Sequence, residues 1–101
     1  MSHSIVIDEE ATGIPSDEVL ADETHQLAVK IDNENSDIYL SFSTREAMRD
    51  FAKSLLQESI YGNGSVELYP LNYDGKQMVV DGVRLSSESP RVFIDYADKD
   101  N

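Results

Sequence analysis

The chain has 101 residues, 20 of them Asp or Glu against 8 Lys or Arg, for a formal charge of −12 at pH 7. That length suits one domain, and the acidic balance excludes a protein that tracks nucleic-acid phosphates with Lys and Arg. Hydrophobic residues make up 40% of the chain, enough for a small core, and the absence of Cys excludes disulfides, thiolate zinc sites and a cysteine nucleophile.

The acids are unevenly placed. The first 29 residues carry seven of them (Asp8, Glu9, Glu10, Asp17, Glu18, Asp22 and Glu23) and no Lys or Arg. Residues 30–94 carry ten acids against seven bases. Like charges resist compaction, so residues 1–24 read as an acidic N-terminal arm and 98–101 as an acidic tail, flanking one domain at 25–97. Within the arm, 4–8 is β-prone and able to add an edge strand. Gly13, Pro15 and Ser16 favour a loop, the alternative being that Ser16 caps a helical turn over 17–21. No apolar run reaches the roughly 18–20 residues of a membrane span. The first ten residues also lack the basic region of a signal peptide. Both point to a cytoplasmic protein without membrane contact.

In the domain, 25–31 and 37–42 alternate apolar and polar residues around the turn-prone segment 32–36, which predicts a β-hairpin. Its apolar face holds Leu27, Val29, Ile31, Ile38, Leu40 and Phe42. Ser43, with Glu46 three residues later, reads as a capping box. Apolar residues then recur at helical spacing from Ala47 to Ile60, predicting an amphipathic helix over 44–61. Gly62 is placed to end it in the left-handed conformation. Short strands follow at 65–69, 76–80, 83–85 and 91–96, with Asp74-Gly75 and Asp81-Gly82 as two-residue hairpin turns. The expected fold is α+β: a mainly antiparallel sheet of five to six short strands, in the order β-β-α-β-β-β, with the helix packed on one face.

Few residues suggest chemistry. His3 and His25 have no metal-ligand or triad spacing, and a lone His at a strand edge is expected on the surface. Asp32, Asn33, Glu34, Asn35 and Asp37 offer oxygen atoms but lack the order of an EF-hand, so a polar turn is the better reading. Gly62, Asn63, Gly64 and Ser65 run from helix to strand, opposite to a phosphate loop. Arg45, Arg49 and Lys53 lie among Glu46 and Asp50 on a solvated helix face. No catalytic, cofactor or metal site is expected. Tyr39, Tyr69 and Phe93 fall opposite their apolar neighbours; with aligned strands they would share the sheet face away from the helix, a composition suited to a protein interface. Together with the seven acids of the first 29 residues, they form the expected partner-binding set. The function expected is a small non-catalytic module, of inhibitor or immunity type, docking on a basic, nucleic-acid-acting protein. The alternative is a self-associating accessory domain, a homodimer, whose acidity serves solubility or a high-salt habitat.

Overall fold

The computed structural model describes residues 14–97; the expected edge strand at 4–8 and the acidic tail at 98–101 lie outside them. Strands β1 (Leu27–Asp32) and β2 (Asp37–Phe42) form an antiparallel hairpin. Its turn is built by Asp32, whose carboxylate accepts from the amides of Glu34 and Asn35 and from the Asn35 side chain. Ser36 closes it at φ 59°. These hydrogen bonds, led by that from the Asn35 side chain, hold the Asp32 carboxyl below its usual pKa.

The long helix begins one residue later than a Ser43 cap implies. Its N-cap is Thr44, whose hydroxyl accepts from the Ala47 amide at 3.1 Å. Ser43 is occupied elsewhere: its Oγ accepts from the Gln26 amide and donates to the Thr24 carbonyl, extending the hairpin ladder by one pair. The helix, Arg45–Tyr61, buries Ala47, Asp50 and Phe51. Gly62 ends it in extended backbone, φ −85° and ψ −174°, not in the left-handed conformation. A glycine is needed there for space, because a Cβ would collide with the carboxyl and carbonyl of Glu58.

Beyond the helix, β3 (Ser65–Leu68) pairs with β6 (Val92–Asp95), and β4 (Leu71–Tyr73) pairs with β5 (Lys76–Met78), both antiparallel. The two Asp-Gly pairs make the tight turns their sequence implies, with Asp74 at φ 53° and Gly75 at 78°, and Asp81 at 49° and Gly82 at 89°. The strands are divided among three two-stranded ladders. Pro70 ends β3 by removing a donor. Residues 83–85 contribute only isolated bridges, Val83 to Val80 and Leu85, in parallel, to Leu27.

The core joins the ladders. Leu27, Val29, Phe51, Val66, Leu68, Val83 and Leu85 form one buried cluster, with Phe42, Leu55, Val92 and Ile94 at its margin. Each Leu or Val in that cluster contributes about 1.5–3 kcal/mol by leaving water. Phe42 and Phe51, with ring centroids 5.9 Å apart, join the hairpin base to the long helix.

Residues 14–24, the described part of the stretch read as an arm, pack on this body. A five-residue helix, Asp17–Ala21, forms with Ser16 as its N-cap, so it precedes the Arg45–Tyr61 helix as α1, the longer one being α2. A helix this short is unstable alone. It is held because Val19 is buried, because the Ser16 amide donates to Asp50 of α2 at 2.7 Å, and because Arg84 binds its C-terminal carbonyls. The burial gained outweighs the acidity that argued for an exposed arm.

Candidate functional site

Two of the buried polar side chains, Arg84 and His25, are engaged in holding the fold. The buried guanidinium of Arg84 donates to the carbonyls of Val19, Leu20 and Asp22 at the end of α1, and to those of His25 and Gln77. A cation suits the negative end of a helix. His25 is buried, contrary to its expected place on the surface. Its Nδ1 lies 2.7 Å from Thr44 Oγ1, the α2 cap, and its Nε2 lies 3.8 Å from Asp22. Packing between the two helix ends, which sequence spacing does not show, draws it inside. A cleft of about 480 Å³ between α1 and β5 is lined by Leu20, Glu23, Lys76, Met78 and the backbone that Arg84 ties down.

Two carboxylates approach one another at the far end of α2. Burial, and then the charge of Glu58, raise the pKa of Asp81. The Asp81 carboxylate accepts from the Glu67 amide at 3.2 Å, while Glu58 accepts from the Gly64 amide and the Tyr96 hydroxyl. Each thus has a structural partner. Among the described residues no group of His, Asp and Glu is arranged to hold a metal ion, and no helix is long and apolar enough to cross a membrane.

The expected partner-binding residues divide into separate places. Asp8, Glu9 and Glu10 lie outside the described residues. Asp17 and Glu18 occupy the exposed first turn of α1, where carboxylates favour the positive helix end. Asp22 and Glu23 are exposed but hydrogen-bonded: Asp22 accepts from the amide and hydroxyl of Thr24, which lower its pKa, and Glu23 accepts from the Gln77 amide. Tyr69 and Phe93 do share the outer face of the β3–β6 ladder. Between them stand Glu67, directly opposite Phe93, and Arg91, which pairs with Glu67 and sits 5.2 Å from the Phe93 ring centroid. Tyr39 is on another ladder, opposite Lys30. The division of the sheet into ladders means that no single face carries all three aromatics.

A different surface emerges from the hairpin. Its register stacks Leu27 with Phe42, Val29 with Leu40, and Ile31 with Ile38 on one face. Burial falls steeply along that row. Val29 is 8% exposed, whereas Leu40, Ile31 and Ile38 are 55%, 51% and 67% exposed. The core covers the base and ends there, so the outer half of an apolar face projects into water. Asp32, Glu34 and Asp37 border it at the turn. On α2, Met48 and Leu56 are also exposed. Sequence alternation identifies the six residues of the row but not how far the core reaches. The signal that could have shown it is the run Asp32-Asn33-Glu34-Asn35, because a turn that charged stays in water and holds its neighbours there. No protein-family model, curated protein or solved structure matches this chain.

Proposed function

We propose that this chain is a non-catalytic protein-binding module, of inhibitor or immunity type, that docks on a basic partner through the projecting half of the β1–β2 hairpin. One observation carries this reading: Ile31, Ile38 and Leu40 are each more than half exposed, on one face, beside the acids of the turn. An apolar centre with a charged rim is the anatomy of a docking patch. The rim and the net charge of −12 select a basic surface and speed its approach. Nucleic-acid-acting proteins present such a surface, and acids at a rigid turn imitate phosphates. The reading places the module in the cytoplasm on sequence grounds. Its non-catalytic character is supported by His25 and Arg84 being engaged in helix capping.

Affinity capture from the native cell tests it, using the wild type beside the triple variant Ile31→Ser, Ile38→Ser, Leu40→Ser. The wild type is expected to retain a basic protein that elutes as salt rises, and the variant to retain none. A partner held equally by the variant, or held regardless of salt, overturns the reading.

A further inference from the structure

The backbone of β2 offers a second surface, which the hydrogen bonds of β1 reveal. In an antiparallel ladder, residues whose amide and carbonyl point at the partner strand alternate with residues whose groups point away. Leu27 donates to the Arg84 carbonyl and accepts from the Ser86 amide, and Val29 donates to Ser89 Oγ. Both therefore point away from β2. Their cross-strand partners Phe42 and Leu40 must then direct their own amides and carbonyls away from β1, and Ile38, opposite Ile31, does the same. On the β1 side the outward groups are occupied by residues 84–89. On the β2 side no described residue takes them up, so among the described residues β2 is a free edge.

Natural edges are protected by Lys, Pro, a bulge or a covering segment. This one carries none of the first three across Ile38, Tyr39, Leu40, Ser41 and Phe42. It is also free of charge from residue 38 to 44, in a chain of net charge −12. A second copy is repelled by most of this acidic surface, but along β2 no charged side chain from 38 to 44 opposes it.

We propose that two copies pair through this edge, antiparallel and about a two-fold axis at Leu40, giving a four-stranded sheet in the order β1–β2–β2–β1. The register follows from the alternation. Edge-facing residues must oppose edge-facing residues, and only pairing Leu40 with Leu40 sets Ile38 against Phe42 and keeps all three within the strand. Shifting it toward the turn opposes Phe42 to Ser36, whose positive φ breaks the strand. Shifting it the other way opposes Ile38 to Thr44, the α2 cap. In the chosen register Tyr39 meets Ser41 and Asp37 meets Ser43, so no like charges face each other. Opposed residues share a face, and the exposed Leu40 and Ile38 of each copy join the Phe42 end of the other. This pairing draws on Leu40 and Ile38, which the docking reading also uses, but its salt response has the opposite sign: screening the two acidic bodies strengthens it.

Sedimentation of the full chain across the micromolar range, at low and high salt, tests the proposal. The expected result is a monomer–dimer equilibrium that tightens with salt. Leu40→Lys, at an exposed position, is expected to weaken it by at least about tenfold by placing like charges on the axis, with unchanged circular dichroism. Because the chain has no Cys, Leu40→Cys gives an independent readout. It is expected to form a disulfide dimer under mild oxidation, strand pairing bringing the two Cα atoms within bonding range, while Tyr73→Cys, at an exposed site elsewhere, remains largely monomeric. A monomer at every concentration and both salts overturns the proposal. So does a dimer that survives Leu40→Lys, or Tyr73→Cys cross-linking as readily as Leu40→Cys. Loss of the basic partner with the dimer intact would remove the docking reading alone.

Discussion

The guanidinium of Arg84 lies 3.0 Å from the carbonyl of Val19, 65 residues earlier in the chain. Through this contact and its neighbours, a side chain from the second half of the protein closes the end of α1. Removing it leaves several carbonyls unsatisfied at once. Arg84→Ala is expected to lower the unfolding free energy by about 2–4 kcal/mol in urea denaturation, from unpaired buried acceptors and a cavity. Arg84→Lys recovers only part of this, since a single ammonium cannot reach carbonyls on three sides as the planar fork does.

The N-terminus of α2 makes a second test. Thr44→Ala is expected to cost about 1–2 kcal/mol, because the Ala47 amide loses its acceptor and His25 loses the hydroxyl on its Nδ1. Thr44→Ser should restore most of it. Ser43→Ala should leave the helix intact, since the Ser43 hydroxyl serves Gln26 and Thr24. If instead Ser43→Ala frays α2 in amide exchange and Thr44→Ala does not, the cap assignment is wrong.

That distinction shows where sequence reasoning reached and where it stopped. Local signals were legible: the alternation of β1 and β2, the period of α2, and Asp-Gly pairs that fix positive φ at adjacent residues. The cap was misplaced at Ser43 because Ser43 and Thr44 are equally able acceptors, and the choice is made by Gln26, just before β1, whose amide engages Ser43. Arg84 and His25 were illegible for the same reason, and the turn over 17–21 capped by Ser16 could be read only as an alternative to a loop. Each is placed by partners far along the chain, and a five-residue helix has too little periodicity to decide between the two. The binding surface was only half readable, since alternation identifies an apolar row while the extent of the core decides which part stays exposed.

Asp81 provides a pH test with a defined sign. Its folded pKa is raised, chiefly by burial and then by Glu58, so the folded state binds its proton more readily than the unfolded state does. The resulting destabilisation is present above the raised pKa and disappears as pH falls through it toward the ordinary value of 3.8. Asp81→Asn keeps the left-handed turn geometry that Asn tolerates and an oxygen for the Glu67 amide. It is expected to stabilise the protein at neutral pH by roughly 0.5 kcal/mol, the group being mostly exposed and screened. The gain should vanish in acid, as measured by denaturation at a series of pH values. A gain that persists unchanged into acid would show that charge is not its source.

The hairpin itself separates binding from folding. Val29 is buried at the base of the apolar row, and Val29→Ala is expected to cost about 1–3 kcal/mol through lost packing. Two positions outward, Ile38 is 67% exposed; Ile38→Ser removes an apolar side chain that the fold scarcely covers, and should change stability by less than about 0.5 kcal/mol. Natural chains tend to replace such a residue with a polar one unless its surface is used, because an exposed aliphatic patch invites aggregation. The two substitutions therefore have opposite profiles. Val29→Ala should lower the unfolding midpoint while leaving partner capture intact at temperatures where the protein remains folded. Ile38→Ser should leave the midpoint unchanged and weaken capture. If Ile38→Ser unfolds the protein as readily as Val29→Ala does, the outer half of the row is part of the core and its exposure is not available for docking.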